Sequence, residues 1–207
     1  MGRIIGLSGV DGSGKTTVAT SVVKQLKDKG YTVTYHHEID FIFLKPLFRF
    51  VSKTVGRHQA ENVKENLIIG AENGSRIWAD MYYILVWLDS LLAYIYFKLK
   101  KGVIIHDRWI YDFTTFFDHK YYRNRLIKKL YTIFPSPDVY ILLTVPEDVA
   151  LKRKEGDIAH IDHDINYYKS MASKALENAK KWECDAIIDA SRPIQDVTDD
   201  IFTIITN

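Results

Sequence analysis

Apolar positions along this chain follow two different periods, and the alternation between them predicts the fold. Five short runs read as strands: Arg3–Leu7 (RIIGL), Tyr31–His36 (YTVTYH), Val103–His106 (VIIH), Val139–Thr144 (VYILLT) and Ala186–Asp189 (AIID). Most are apolar on successive residues, as strands covered on both faces are. The stretches between them read as helices: Thr16–Lys29, Arg76 to about Lys100, two helices within residues 111–133, one entered at Pro146, Asp164–Trp182, and Ile194 to about Ile205. A further helix-rich aromatic segment is expected over Phe41–Val55, interrupted at Pro46. Punctuation agrees: Gly30 follows Lys27 and Lys29 as a helix stop, and Pro146 precedes Glu147 and Asp148 in a first turn. Strands separated by helices predict an α/β class with a five-stranded parallel sheet and helices on both faces, three layers in all.

One octet adds chemistry to that frame. Residues 9–16 read Gly-Val-Asp-Gly-Ser-Gly-Lys-Thr, the Gly-x-x-x-x-Gly-Lys-Thr phosphate-binding P-loop, placed between a strand and a helix as the motif requires. Glycines at 9, 12 and 14 let the backbone turn tightly and aim successive N–H groups inward. With Ser13, Thr17 and the positive end of the following helix they make a cradle for phosphate oxygens. Lys15 brings a mobile charge to the β- and γ-phosphates, and the Thr16 hydroxyl is a hard oxygen suited to Mg²⁺. ATP and Mg²⁺ are therefore the expected cofactors, in a P-loop NTPase fold.

Composition narrows the remaining possibilities. The 207 residues suit one α/β domain, and a hydrophobic share of 47% supplies its core. A net charge of +2 gives no overall field for nucleic acid. The mixed Lys, Arg and Tyr stretch at 121–131 then reads as a solvated face. The single cysteine, Cys184, excludes an internal disulfide and, with no leader segment visible at the start, suggests a cytoplasmic protein. The most apolar stretch, Met81–Phe97, is split by Asp89 into two uncharged runs of eight, short of a bilayer. A buried helix or a subunit contact is expected there, with no membrane. The histidines at 36, 37, 106, 160 and 163 show no metal-binding spacing.

Taken together, the loop Val10–Thr16, the triplet Asp107-Arg108-Trp109 after the third strand, the basic stretch Leu151–Gly156 and the terminus Ile188-Asp189-Ala190-Ser191 resemble the thymidylate kinase family of nucleoside monophosphate kinases. The resemblance spans most of the chain. It implies a single kinase domain over 1–207, with an acceptor-side helical region at about 38–100 and a lid at about 151–162. It implies that Asp107 holds Mg²⁺ directly or through water, and that Arg108 bridges donor and acceptor phosphates. The bland alternatives are a turn-capping aspartate and a surface ion pair. Asp11 would face the acceptor or orient Lys15, or else make a local turn. Where some members carry an arginine inside the loop, this chain has Gly12, so the lid would supply Arg153, flanked by Lys152 and Lys154. Ser191 and Arg192 would border the donor base, Arg192 stacking on it or remaining an exposed turn residue.

The acceptor side departs from the family pattern. In place of Thr-Arg-Glu-Pro-Gly the chain reads His36-His37-Glu38-Ile39-Asp40-Phe41, with Glu38 in the glutamate position and Arg49 or Arg57 the arginines that could approach from the next helix. Family members carry an arginine in the helix before the third strand that reads the thymine edge; that position falls near Trp87 here, and no arginine lies closer than Arg76. Trp78, Tyr82, Trp87 and Tyr111 either stack a base or, at helical spacing, belong to the core. The partner is thus a small-molecule phosphate acceptor, a nucleotide on this reading. Phosphoryl transfer from ATP to a nucleoside monophosphate, dTMP or a related pyrimidine nucleotide, is the leading function. The alternatives are a kinase whose acceptor is a nucleoside, sugar or polynucleotide 5′-hydroxyl, and a non-kinase P-loop NTPase. The resemblance also suggests a homodimer built on the long apolar helix.

Overall fold

A computed structural model of the chain describes residues 1–37, 42–47, 76–119, 124–154 and 164–206, with backbone alone at 76–79 and 116–119. Five strands form one sheet: β1 (Arg3–Gly9), β2 (Val33–His37), β3 (Val103–Asp107), β4 (Val139–Thr144) and β5 (Ala186–Asp189). Their order is β2-β3-β1-β4-β5 and every pair is parallel. The helices are α1 (Lys15–Asp28), α2 (Arg76–Leu99), α3 (Tyr111–His119), α4 (Arg125–Thr132), α5 (Glu147–Lys154), α6 (Ile165–Lys181) and α7 (Ile194–Thr206). The expected α/β architecture is the one observed.

Strand alternation splits the core in two. Ile5, Leu7, Ile105 and Ile141 face one way and pack with Val18, Val22 and Leu26 of α1 and Val197, Ile201 and Ile205 of α7. Ile4, Ile104 and Tyr140 face the other way, into an aromatic cluster with Tyr83, Val86 and Phe97 of α2 and Tyr131 of α4. Boundaries moved where local bonds competed with the ladder. β2 starts at Val33 rather than Tyr31, because the Tyr31 N–H donates to Leu26 O at 3.0 Å to close the end of α1. Side-chain caps fix two helix starts: Asn124 Oδ1 accepts from Leu126 and Ile127 N–H, and Asp164 accepts from Tyr167 N–H.

The parallel register decides what meets what. Leu7 pairs with Asp107, and His37 pairs with the same Asp107 from the other side. The carboxyl ends of β1, β2 and β3 therefore share one edge, with the P-loop leaving β1 there. Ligands of open parallel sheets bind at such an edge.

Candidate active site

The P-loop is shaped by left-handed glycines. Gly12 has φ 82°, and Gly14, at φ 83°, caps the start of α1. A Cβ on Gly12 would stand 2.5 Å from the Ala150 carbonyl oxygen of α5, so only glycine lets the loop back onto the lid helix. Gly9 ends β1, and Ser13 is buried, its N–H donating to Val10 O at 3.1 Å. Thr17 sits exposed in the first turn of α1.

Lys15 is 5% exposed and folded back on its own loop, donating to Gly9 O at 2.7 Å and Val10 O at 2.8 Å. Burial, and then the Arg108 charge, lower its pKa to about 8. Thr16 Oγ1 donates to Asp107 Oδ2 at 2.7 Å. That same oxygen accepts from Tyr35 OH at 3.1 Å and lies 3.0 Å from His37 Nδ1. Asp107 is fully buried, and its Oδ1 has no hydrogen-bond partner among the described residues. A buried carboxylate oxygen left open beside a threonine hydroxyl is a hard-oxygen donor set that fits Mg²⁺.

Arg108 follows with φ 73°, a left-handed backbone for a non-glycine residue. Three contacts hold it there. Its N–H donates to Leu7 O at 2.9 Å, its carbonyl accepts from His106 Nδ1 at 3.0 Å, and its Nη2 donates to Asp11 Oδ1. His106 is pushed down to about 3 by burial and by neighbouring His36, so it stays neutral and serves as a strap. The turn thus aims the Arg108 guanidinium at Asp11 in the P-loop, turned away from the core. Strain concentrated at a charged strand end is a mark of functional sites.

Arg153 of α5 reaches the loop from the other side. Its Nη1 donates to Gly12 O at 3.2 Å and its Nη2 to Ala190 O at 3.3 Å, joining the P-loop to the turn after β5. Lys152 points to solvent. In the β5 turn, Ser191 N–H donates to Asp189 Oδ1 at 2.9 Å, and Arg192 is exposed, tied to Asp200 Oδ2 at 2.5 Å.

Tyr82 and Tyr111 do not line a binding surface. Tyr82 is 6% exposed and Tyr111 1%, both within the aromatic core; Tyr111 stacks on Trp182 at 4.3 Å. The base-stacking reading gives way to the core reading for these two, because the helical spacing turns them toward the sheet. Trp87 packs edge-on against Phe134 at 6.0 Å. The side chain of Trp78, together with Glu38, Arg49, Arg57 and lid residues 155–162, lies outside the described residues.

Sequence reasoning missed Tyr35 and His37, whose alternation on β2 places both on the Asp107 side. It also missed Asp112 in the first turn of α3. Burial raises the Asp112 carboxyl to about 6, although Lys15 and Arg108 nearby pull it down. Its Oδ2 has no hydrogen-bond partner among the described residues. A carboxyl raised from 3.8 in the unfolded chain binds its proton more tightly when folded, so stability falls as pH rises from about 3.8 to about 6. Asp112→Asn is expected to stabilise the nucleotide-free protein by about 1–3 kcal/mol at neutral pH. The gain should vanish below about pH 3.8, where both forms are neutral. Urea unfolding of both proteins across pH checks this.

A glycine loop with its lysine and threonine, facing an aspartate–arginine turn at the end of a neighbouring parallel strand, defines a P-loop phosphotransferase. The thymidylate kinase family model matches residues 7–201. The chain belongs to the thymidylate kinase family, a family of nucleoside monophosphate kinases. It is 27% identical to the probable thymidylate kinase of Archaeoglobus fulgidus, over 98% of this chain and 94% of that one. It is 26% identical to the thymidylate kinase of Caldicellulosiruptor saccharolyticus, over 99% and 96%. Among solved structures, its fold is similar to that of deoxyadenosine kinase from M. mycoides with bound dCTP, with a TM-score of 0.58, 17% identity and 99% of each chain covered.

Proposed function

We infer that the protein transfers the γ-phosphoryl group of ATP to dTMP. The observation that carries this is the arrangement of Thr16 and Lys15 on the P-loop around Asp107 and Arg108 at the end of β3, in a chain of the thymidylate kinase family. Phosphoryl transfer needs positioning and charge stabilisation more than covalent chemistry, and these residues supply both. Lys15 leaves the carbonyls of Gly9 and Val10 to hold the β- and γ-phosphates. The Arg108 guanidinium, released from Asp11, spans donor and acceptor phosphates. Arg153 comes down from α5 onto the same group. The acceptor phosphate is already anionic at neutral pH, so its oxygen attacks the γ-phosphorus without a base, and the bond to the ADP oxygen breaks in line. Thr16 and Asp107 would hold Mg²⁺, which supplies charge neutralisation on the phosphate oxygens.

The test is ADP release from ATP with Mg²⁺ and a panel of nucleoside monophosphates, nucleosides and sugars, against a no-acceptor control. Strong stimulation by dTMP supports the reading. Stimulation by nucleosides or sugars alone replaces it with a different acceptor.

We read the protein, further, as a cytoplasmic homodimer. Its α2 contains a stretch, Asp80–Leu99, long and apolar enough to cross a membrane by length and composition alone. One face of it packs in the domain core through Tyr83, Val86 and Phe97. The opposite face leaves Ile84, Leu88, Leu92, Ile95 and Leu99 exposed at helical spacing. A second copy of that stripe is its natural cover, since an isologous contact pairs identical apolar patches. Leu88→Glu combined with Leu92→Glu is expected to give a monomer at micromolar concentration by light scattering, where the parent gives a dimer. A monomeric parent would overturn this.

A further inference from the structure

Asp89 is the acidic residue that interrupts the apolar run of α2, and phosphate chemistry gives it no role. It is 3% exposed. Its Oδ2 accepts the Ile42 N–H at 2.6 Å, and its Oδ1 accepts the N–H groups of Phe43 and Leu44 at 2.8 and 2.6 Å. Three consecutive backbone donors on one carboxylate form a strong, charge-assisted clamp, and it closes over more than forty residues of sequence. Two turns further along α2, Tyr96 meets the Phe43 ring edge-on at 5.7 Å.

Burial does not hold residues 42–44 in place. Ile42 and Phe43 are 37% and 43% exposed. The segment is fixed by polar anchoring, and Asp89 provides it. The segment also begins five residues after His37, whose ring sits 3.0 Å from Asp107 Oδ2 in the site. The connection leaving β2 is therefore tied to the phosphate site at one end and to α2 at the other.

We propose that Asp89 is a positioning residue for the acceptor: by clamping the backbone of residues 42–44 to α2, it sets the acceptor-side wall of the cleft beyond β2 and so controls acceptor affinity, leaving ATP affinity alone. The proposal rests on the dTMP kinase reading. It also explains a carboxylate in a helix that would pack and associate better without one. A buried charge is costly unless fully hydrogen-bonded, and the clamp is what satisfies it.

Asp89→Leu separates this role from a stabilising one. The freed N–H groups lie on an exposed segment and can turn to water, and leucine continues the apolar helix, so the variant keeps its fold. Its KM for dTMP is expected to rise tenfold or more, with the KM for ATP within twofold of the parent and kcat within a few-fold. Asp89→Asn, which keeps one carbonyl acceptor, should fall between. Hydrogen exchange on the parent is the independent arm: dTMP should slow exchange at Ile42–Leu44, and ADP alone should not. A parent that turns over dTMP while Asp89→Leu keeps both KM values overturns the proposal alone. So does a parent whose 42–44 amides ignore saturating dTMP. A parent inactive with dTMP overturns the function reading and the proposal together.

Discussion

Arg108→Ala is expected to lower kcat about a thousandfold, the scale on which an arginine at a transferring phosphoryl group acts. The structure gives this loss a second signature. Arg108 sits at φ 73°, held by Leu7, by His106 and by Asp11. A left-handed backbone costs an alanine about 1–2 kcal/mol relative to glycine. Arg108→Gly should therefore be as inactive as Arg108→Ala and more stable than it by about 1 kcal/mol. Steady-state kinetics and chemical unfolding on the two variants separate the guanidinium from the turn. Near-normal turnover in either would remove Arg108 from the transition state.

Lys15→Met is expected to trade activity for stability. Without the ammonium group, nothing else on the loop brings a mobile charge to the β- and γ-phosphates, and kcat/KM should fall by about a thousandfold. The nucleotide-free fold should gain. Lys15 is buried, its pKa lowered to about 8 from 10.5, so its charge opposes folding below that range. The unfolded chain binds the proton more tightly, and stability of the parent rises as pH passes from about 8 to about 10.5. Replacing lysine by an apolar chain of similar length should stabilise the protein by about 1–3 kcal/mol at neutral pH, offset in part by the lost bonds to Gly9 and Val10. The difference should shrink above about pH 8 and be gone near pH 10.5. Thermal unfolding without nucleotide, across pH, measures it. Equal stabilities at neutral pH would contradict the burial cost assigned to Lys15.

What was legible in the chain was what local pattern encodes. Short apolar runs marked β4 and β5 to the residue, and the P-loop announced itself because its backbone needs glycine where only glycine can turn. Roles that depend on distant partners were less visible. Tyr82 and Tyr111 carry the residue type of a base-stacking site, yet periodicity alone cannot say which side of a helix the sheet will cover; they are core. Asp89 read as an interruption, and its partners are the backbone N–H groups of Ile42, Phe43 and Leu44, which side-chain patterning does not announce.

By itself, then, the sequence determined the parallel α/β layering, the phosphate loop and the placing of Asp107 and Arg108 at a strand end, since each follows from backbone geometry within a few residues. Only the tertiary structure decided that Tyr35, His37 and Thr16 share one oxygen of Asp107, that Arg108 turns back onto Asp11, and that a carboxylate in α2 holds residues 42–44. The contacts at Asp107 and Arg108 follow from the strand order β2-β3-β1 and its register, and the clamp at Asp89 from α2 meeting the chain beyond β2; both join groups that no local period relates.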